Sequence, residues 1–130
     1  MNRLTKWLIY TVVIGLLPML CRLLLWAVTK TGTMEPFAVS DFVAFGLVLH
    51  ISNINELEHY ETNNPSWKTC HNGISILFIT LYSVFYTVTL LELSEVDSNN
   101  ILIGSSAMCV VSFLISLSLY FRVTKLELRQ

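Results

Sequence analysis

Four apolar runs, residues 7–28, 37–54, 74–93 and 101–121, take up most of the chain and are separated by short polar segments. A helix needs about 20 predominantly apolar residues to cross a hydrocarbon layer of roughly 30 Å. The runs have that length and are continuous, whereas the strands of a membrane barrel alternate in short segments. In lipid each backbone group must find its partner inside its own element, which a helix achieves. The expected fold is therefore all-α: one polytopic domain over residues 1–130, with four transmembrane helices in an antiparallel bundle. Composition agrees, since 54% of the 130 residues are hydrophobic and 13% charged. Soluble domains carry about 25% charged residues. The mean hydropathy is +0.63.

Lysine and arginine near the span ends set the orientation. With the N-terminus inside, the cytosolic segments hold Arg3, Lys6, Lys68, Arg122, Lys125 and Arg129, and the outer loops hold Lys30, with Arg22 near the outer end of span one. Both termini are thus expected in the cytosol. The start "MNRLTKWLIYTVVIGLLPMLC" has the basic head and apolar body of a signal peptide but lacks its small-residue cleavage pattern, so it reads as a retained anchor. A net charge of -1 leaves no basic stripe for direct nucleic-acid binding. Cys21, Cys70 and Cys109 are too scattered for a disulfide framework.

Arg22 stands inside "LLPMLCRLLLWAV", a stretch otherwise made of hydrocarbon. At 1.5 Å per residue it lies about 22 Å above Trp7, close to the outer boundary. Asp41 and Glu92 fall at a similar depth on spans two and three, so Arg22, Asp41 and Glu92 form a candidate intramembrane charge cluster. An unpaired charge costs about 2.5–3.5 kcal/mol at the bilayer centre and less near its edge. Pairing with a carboxylate removes most of that cost; snorkelling to a lipid phosphate is the competing solution. Pro18, one turn earlier, is expected to kink the span.

Small polar side chains form two stripes at helical spacing. Span four carries Ser105, Cys109, Ser112 and Ser116; span three carries Thr80, Ser83 and Thr87, beside a second face of Phe78, Tyr82 and Phe85. Small stripes let helix backbones approach closely, either within one protomer or between protomers. His50 lies in the inner third of span two, where a neutral, hydrogen-bonded imidazole is the ordinary state and proton sensing the less ordinary one.

The cytosolic loop, residues 55–73, opens with good helix formers that extend span two to about residue 61. Glu56, Glu58, His59, Tyr60 and Trp67 make it the candidate partner-docking segment, with the two aromatics as anchors. Glu56 and His59 have a Glu-x-x-His spacing, but it occurs once, and His59, Cys70 and His71 lack the repeated close ligand pairs of a metal module. No metal, cofactor or catalytic residue is expected: the chain has no phosphate loop, nucleophile elbow or zinc-protease motif.

These features point to a non-enzymatic membrane protein that self-associates and relays membrane state to a cytosolic protein. An oligomeric pore or permeability effector is the alternative, and a small transporter a more distant one. In layout, with four spans, a polar loop "HISNINELEHYETNNPSW" between spans two and three, and both ends inside, the chain resembles the small membrane subunits of bacterial anti-phage systems, the Kiwa membrane subunit in particular. That resemblance implies a homo-oligomer in the bacterial inner membrane that senses phage-induced disturbance and works with a cytosolic nucleic-acid-binding subunit. It carries over no site residue.

Overall fold

The computed structural model describes residues 2–61 and 63–129. Among the described residues the chain is all-helical, with four helices: α1 (Arg3–Val28), α2 (Val39–His59), α3 (Pro65–Leu91) and α4 (Ser98–Glu127). Three of them, α1, α3 and α4, are long and apolar enough to cross a membrane. Their outward faces carry side chains such as Leu24, Val28, Leu90 and Ile103, each more than 60% exposed. A water-soluble protein rarely leaves so many large apolar side chains uncovered.

Helix ends follow local chemistry. Asn2 caps α1 by accepting from the Thr5 amide, and Asn64 caps α3 by accepting from the Trp67 amide, with Pro65 in the first turn where its missing N–H costs nothing. Because that cap works, residues 65–73 are helical, and the loop expected over 55–73 shrinks to the few residues between His59 and Pro65. Helix α4 starts one residue after Asp97, which accepts from the Asn99 amide, so Asp97 is the cap and Asn99 and Asn100 lie inside the first turn. The α1–α2 connection turns at Gly32, whose φ of 83° is open to glycine at no steric cost. Helix α1 continues through Pro18, and its departure from α geometry is a π-helical stretch at Leu8–Val13, upstream of the proline.

The arrangement departs from a square antiparallel bundle. Helix α2 lies in the middle, antiparallel to α1 and α3 and parallel to α4, and packs on all three, whereas among the described residues α1 and α3 do not pack on each other. The physical reason is polarity. Helix α2 is the one that carries His50, Ser52, Asn53 and Asn55 among its apolar residues. Placing it centrally lets the more apolar helices shield it. Two glycines allow the close approach: a Cβ on Gly46 would overlap the Tyr82 ring, and one on Gly15 would lie 2.8 Å from Phe45.

Helices α1 and α4 meet at the end of the bundle that carries both termini. There Trp7 stacks on Tyr120 at 4.5 Å, and Arg3 pairs with Glu127 at 2.9 Å. Further along they part, leaving an apolar groove of about 280 Å³ lined by Val12, Leu16, Phe45, Cys109, Val110 and Phe113.

Candidate functional site

A hydrogen-bonded ladder runs along the buried side of α2. His50 is fully buried, its ring stacked on Phe78 at 4.8 Å. Its Nδ1 lies 3.3 Å from Ser75 Oγ on α3 and its Nε2 2.9 Å from Ser112 Oγ on α4. Ser112 Oγ is also 2.8 Å from the Tyr82 hydroxyl. One turn on, Asn53 Nδ2 donates to Ser116 Oγ at 2.8 Å. Towards the termini, Ser52 Oγ lies 3.0 Å from the Tyr120 hydroxyl and 3.2 Å from Thr11 Oγ1 on α1. Every helix contributes.

A neutral imidazole fits the His50 set in either tautomer; in one of them Tyr82 O–H donates to Ser112, Ser112 O–H donates to Nε2, and Nδ1–H donates to Ser75. The Asn53 Oδ1 atom has no partner among the described residues. An unsatisfied buried acceptor is costly, so the ladder is not closed at that rung.

Ionic contacts hold the two ends. Arg22 Nε donates to Asp41 Oδ2, joining α1 to the first turn of α2. At the other end Arg3 pairs at 2.9 Å with both Glu56 of α2 and Glu127 of α4. Glu92, expected beside Arg22 and Asp41, is not brought to them. It caps α3 in a left-handed conformation with φ 45°, and among the described residues it makes no ion pair. It lines a cavity with Val39, Val88 and Val96 instead.

The two small-residue stripes have different fates. Ser105, Cys109, Ser112 and Ser116 are all buried within the protomer. Thr80, Ser83 and Thr87 face outward, their hydroxyls bonded to the carbonyls of Ile76, Ile79 and Ser83 one turn back on α3. The neighbouring face turns inward instead, because Phe78 and Tyr82 pack on His50 and their aromatic area gains more from burial than a threonine does.

In the segment expected to dock a partner, Glu56 is engaged with Arg3. The His59 Nδ1–H donates to the Asn55 carbonyl at 2.8 Å, so Glu56 and His59 serve separate purposes. Lys68 Nζ donates to the carbonyl of Glu58 at 3.2 Å, and Tyr60 meets the Trp67 indole edge-on at 6.5 Å. Among the described residues no three of His, Cys, Asp and Glu converge as a metal site would require.

Sequence reasoning missed Ser52, Asn53, Ser75 and Tyr120 as partners of this network. The signal was present: His50 and Asn53 sit three apart on one run, and Ser112 and Ser116 four apart on another, which is one helical turn in each case. Compared with known proteins, the chain matches no family model, no curated protein and no solved structure.

Proposed function

We propose that the protein is a non-enzymatic, multi-pass inner-membrane protein with four spans and cytosolic termini, which self-associates and relays the state of the bilayer to a cytosolic protein partner. Helix α2 counts as the fourth span in this reading because His50 and Asn53 are buried and Ser52 is bonded to α1 and α4, while the exposed Asn55 lies in its last turns, towards the termini. The observation that carries the relay is the pair of ionic clamps on α1 and α2, Arg22–Asp41 at one end and Arg3–Glu56 at the other, the latter extended to Glu127 of α4. A shift of α1 against α2 in the membrane is thereby delivered to the end where the termini and the docking segment lie. The outward stripe of Thr80, Ser83 and Thr87 supplies the face for contact between copies. The resemblance in layout to anti-phage membrane subunits supplies the context in which such a relay would act on phage-induced membrane damage.

The alternative is an oligomeric pore lined by the polar stripes of α3 and α4. Ser112 and Ser116 speak against it, since their hydroxyls are already bonded to α2 inside the protomer. Pure protein in liposomes separates the two. A sealed bilayer, with a cytosolic protein bound by the wild type and lost in Arg3→Ala, supports the relay. Ion leak abolished by Thr87→Leu selects the pore and overturns the relay.

A further inference from the structure

At the end of the bundle that carries the termini, the structure holds a cleft of about 770 Å³ lined by Tyr60 and Trp67 of the candidate docking segment and by Glu61, Arg122, Leu126 and Arg129, among others. Arg122 and Leu126 stand one turn apart on α4, and Arg129 follows in the turn after Glu127, its amide donating to the Leu126 carbonyl at 3.2 Å, so the end of α4 forms a wall of the cleft with an arginine on each side of Leu126. The Arg122 guanidinium lies over the Trp67 indole, 4.5 Å from its centroid. Stacking of this kind fixes the plane of the guanidinium while leaving its in-plane N–H donors free to fork onto an oxyanion. Among the described residues the ion pairs are made by Arg3 and Arg22, so neither Arg122 nor Arg129 is neutralised by a carboxylate. Glu61 is the acidic side chain in the lining, which leaves the cleft with an excess of positive charge.

Depth matters as much as charge. Arg122 directly follows the Tyr120–Phe121 pair that ends the last apolar run, which puts the cleft at headgroup level if α4 crosses a bilayer. The volume exceeds the needs of a bare phosphate ion and is of the size of small-ligand sites, about 300–1,000 Å³.

We propose that this cleft binds a phosphate monoester or diester through Arg122 and Arg129, with Trp67 holding Arg122 in place, the phosphate coming from an anionic lipid headgroup or from a soluble phosphate compound. The proposal needs the chain to be in a membrane only for the lipid source, and it stands apart from the relay and from any protein partner.

The test measures the thermal midpoint of the full-length protein in a neutral detergent during titration with dihexanoyl-phosphatidylglycerol, dihexanoyl-phosphatidylcholine and glycerol 3-phosphate. The anionic lipid or glycerol 3-phosphate should raise the midpoint of the wild type saturably, and phosphatidylcholine should not match the anionic lipid. Arg122→Gln/Arg129→Gln should weaken that binding at least tenfold, whereas Lys125→Gln, a charge lost from the same helix outside the lining residues named, should leave it within twofold. A response to glycerol 3-phosphate equal to that of the lipid identifies the soluble source; a response to the lipid alone identifies the headgroup. Equal binding by the double variant, an equal loss in Lys125→Gln, or no saturable shift with either anion overturns the proposal. Midpoints without added anion show whether each variant is folded.

Discussion

The His50 Nε2 atom on α2 meets Ser112 Oγ on α4 at 2.9 Å, and the same oxygen meets the Tyr82 hydroxyl of α3 at 2.8 Å. One serine of α4 therefore joins α2 and α3. It is fully buried, so water cannot replace it at the Tyr82 hydroxyl or at Nε2 of His50, whose Nδ1 is held by Ser75.

Ser112→Ala should leave both the imidazole and the phenol short of a partner. Hydrogen bonds between membrane helices are worth about 0.6 kcal/mol on average and up to about 1.7, so losing two of them predicts a destabilisation of about 1–3 kcal/mol. Reversible unfolding in mixed micelles measures it. A loss below about 0.3 kcal/mol would mean that the ladder is not formed.

Asp41→Ala strips Arg22 of its partner on α2. Breaking a fully buried pair costs about 3–5 kcal/mol; here the side chains are 26% and 13% exposed, so a smaller loss of about 1–3 kcal/mol is expected. Exchanging the charges, Arg22→Asp with Asp41→Arg, should recover much of it. If Asp41→Ala unfolds at the same denaturant fraction as the wild type, Arg22 is serving lipid headgroups instead.

Two glycines should respond in opposite directions. Gly46→Ala drives a methyl group into the Tyr82 ring and should cost about 1–3 kcal/mol, as overpacking does. Gly73→Ala, inside α3 with open space around it, should stabilise by about 0.5–1 kcal/mol through helix propensity. Thermal midpoints of the two variants, compared side by side, check the pair; equal shifts of one sign would contradict the packing.

The outward stripe offers a different separation. Thr80→Leu/Ser83→Leu/Thr87→Leu removes hydroxyls that bond to their own helix, so protomer stability should change by no more than about 0.5 kcal/mol. Crosslinking between copies should fall. Undiminished crosslinking would place the contact between protomers on another face.

The termini should share a compartment, because Arg3 and Glu127 pair at 2.9 Å. Reporter tags at the two ends that gave opposite topologies would exclude this packing.

Helical class and membrane character were readable from the sequence alone, because long unbroken apolar runs have few other ways to satisfy their backbone groups. The Arg22–Asp41 juxtaposition was readable too, since depth along a helix follows from counting residues. Which face of each helix turns inward was not. Residues Thr80, Ser83 and Thr87 and residues Phe78 and Tyr82 are equally plausible stripes on α3 until α2 supplies His50 for the aromatics to cover. Glu92 has a suitable depth but the wrong direction, which the left-handed turn after Leu91 decides. Depth is a one-dimensional property that the order of residues carries by itself. The azimuth of a side chain, and the central place of α2, exist only once four helices compete for the same interior.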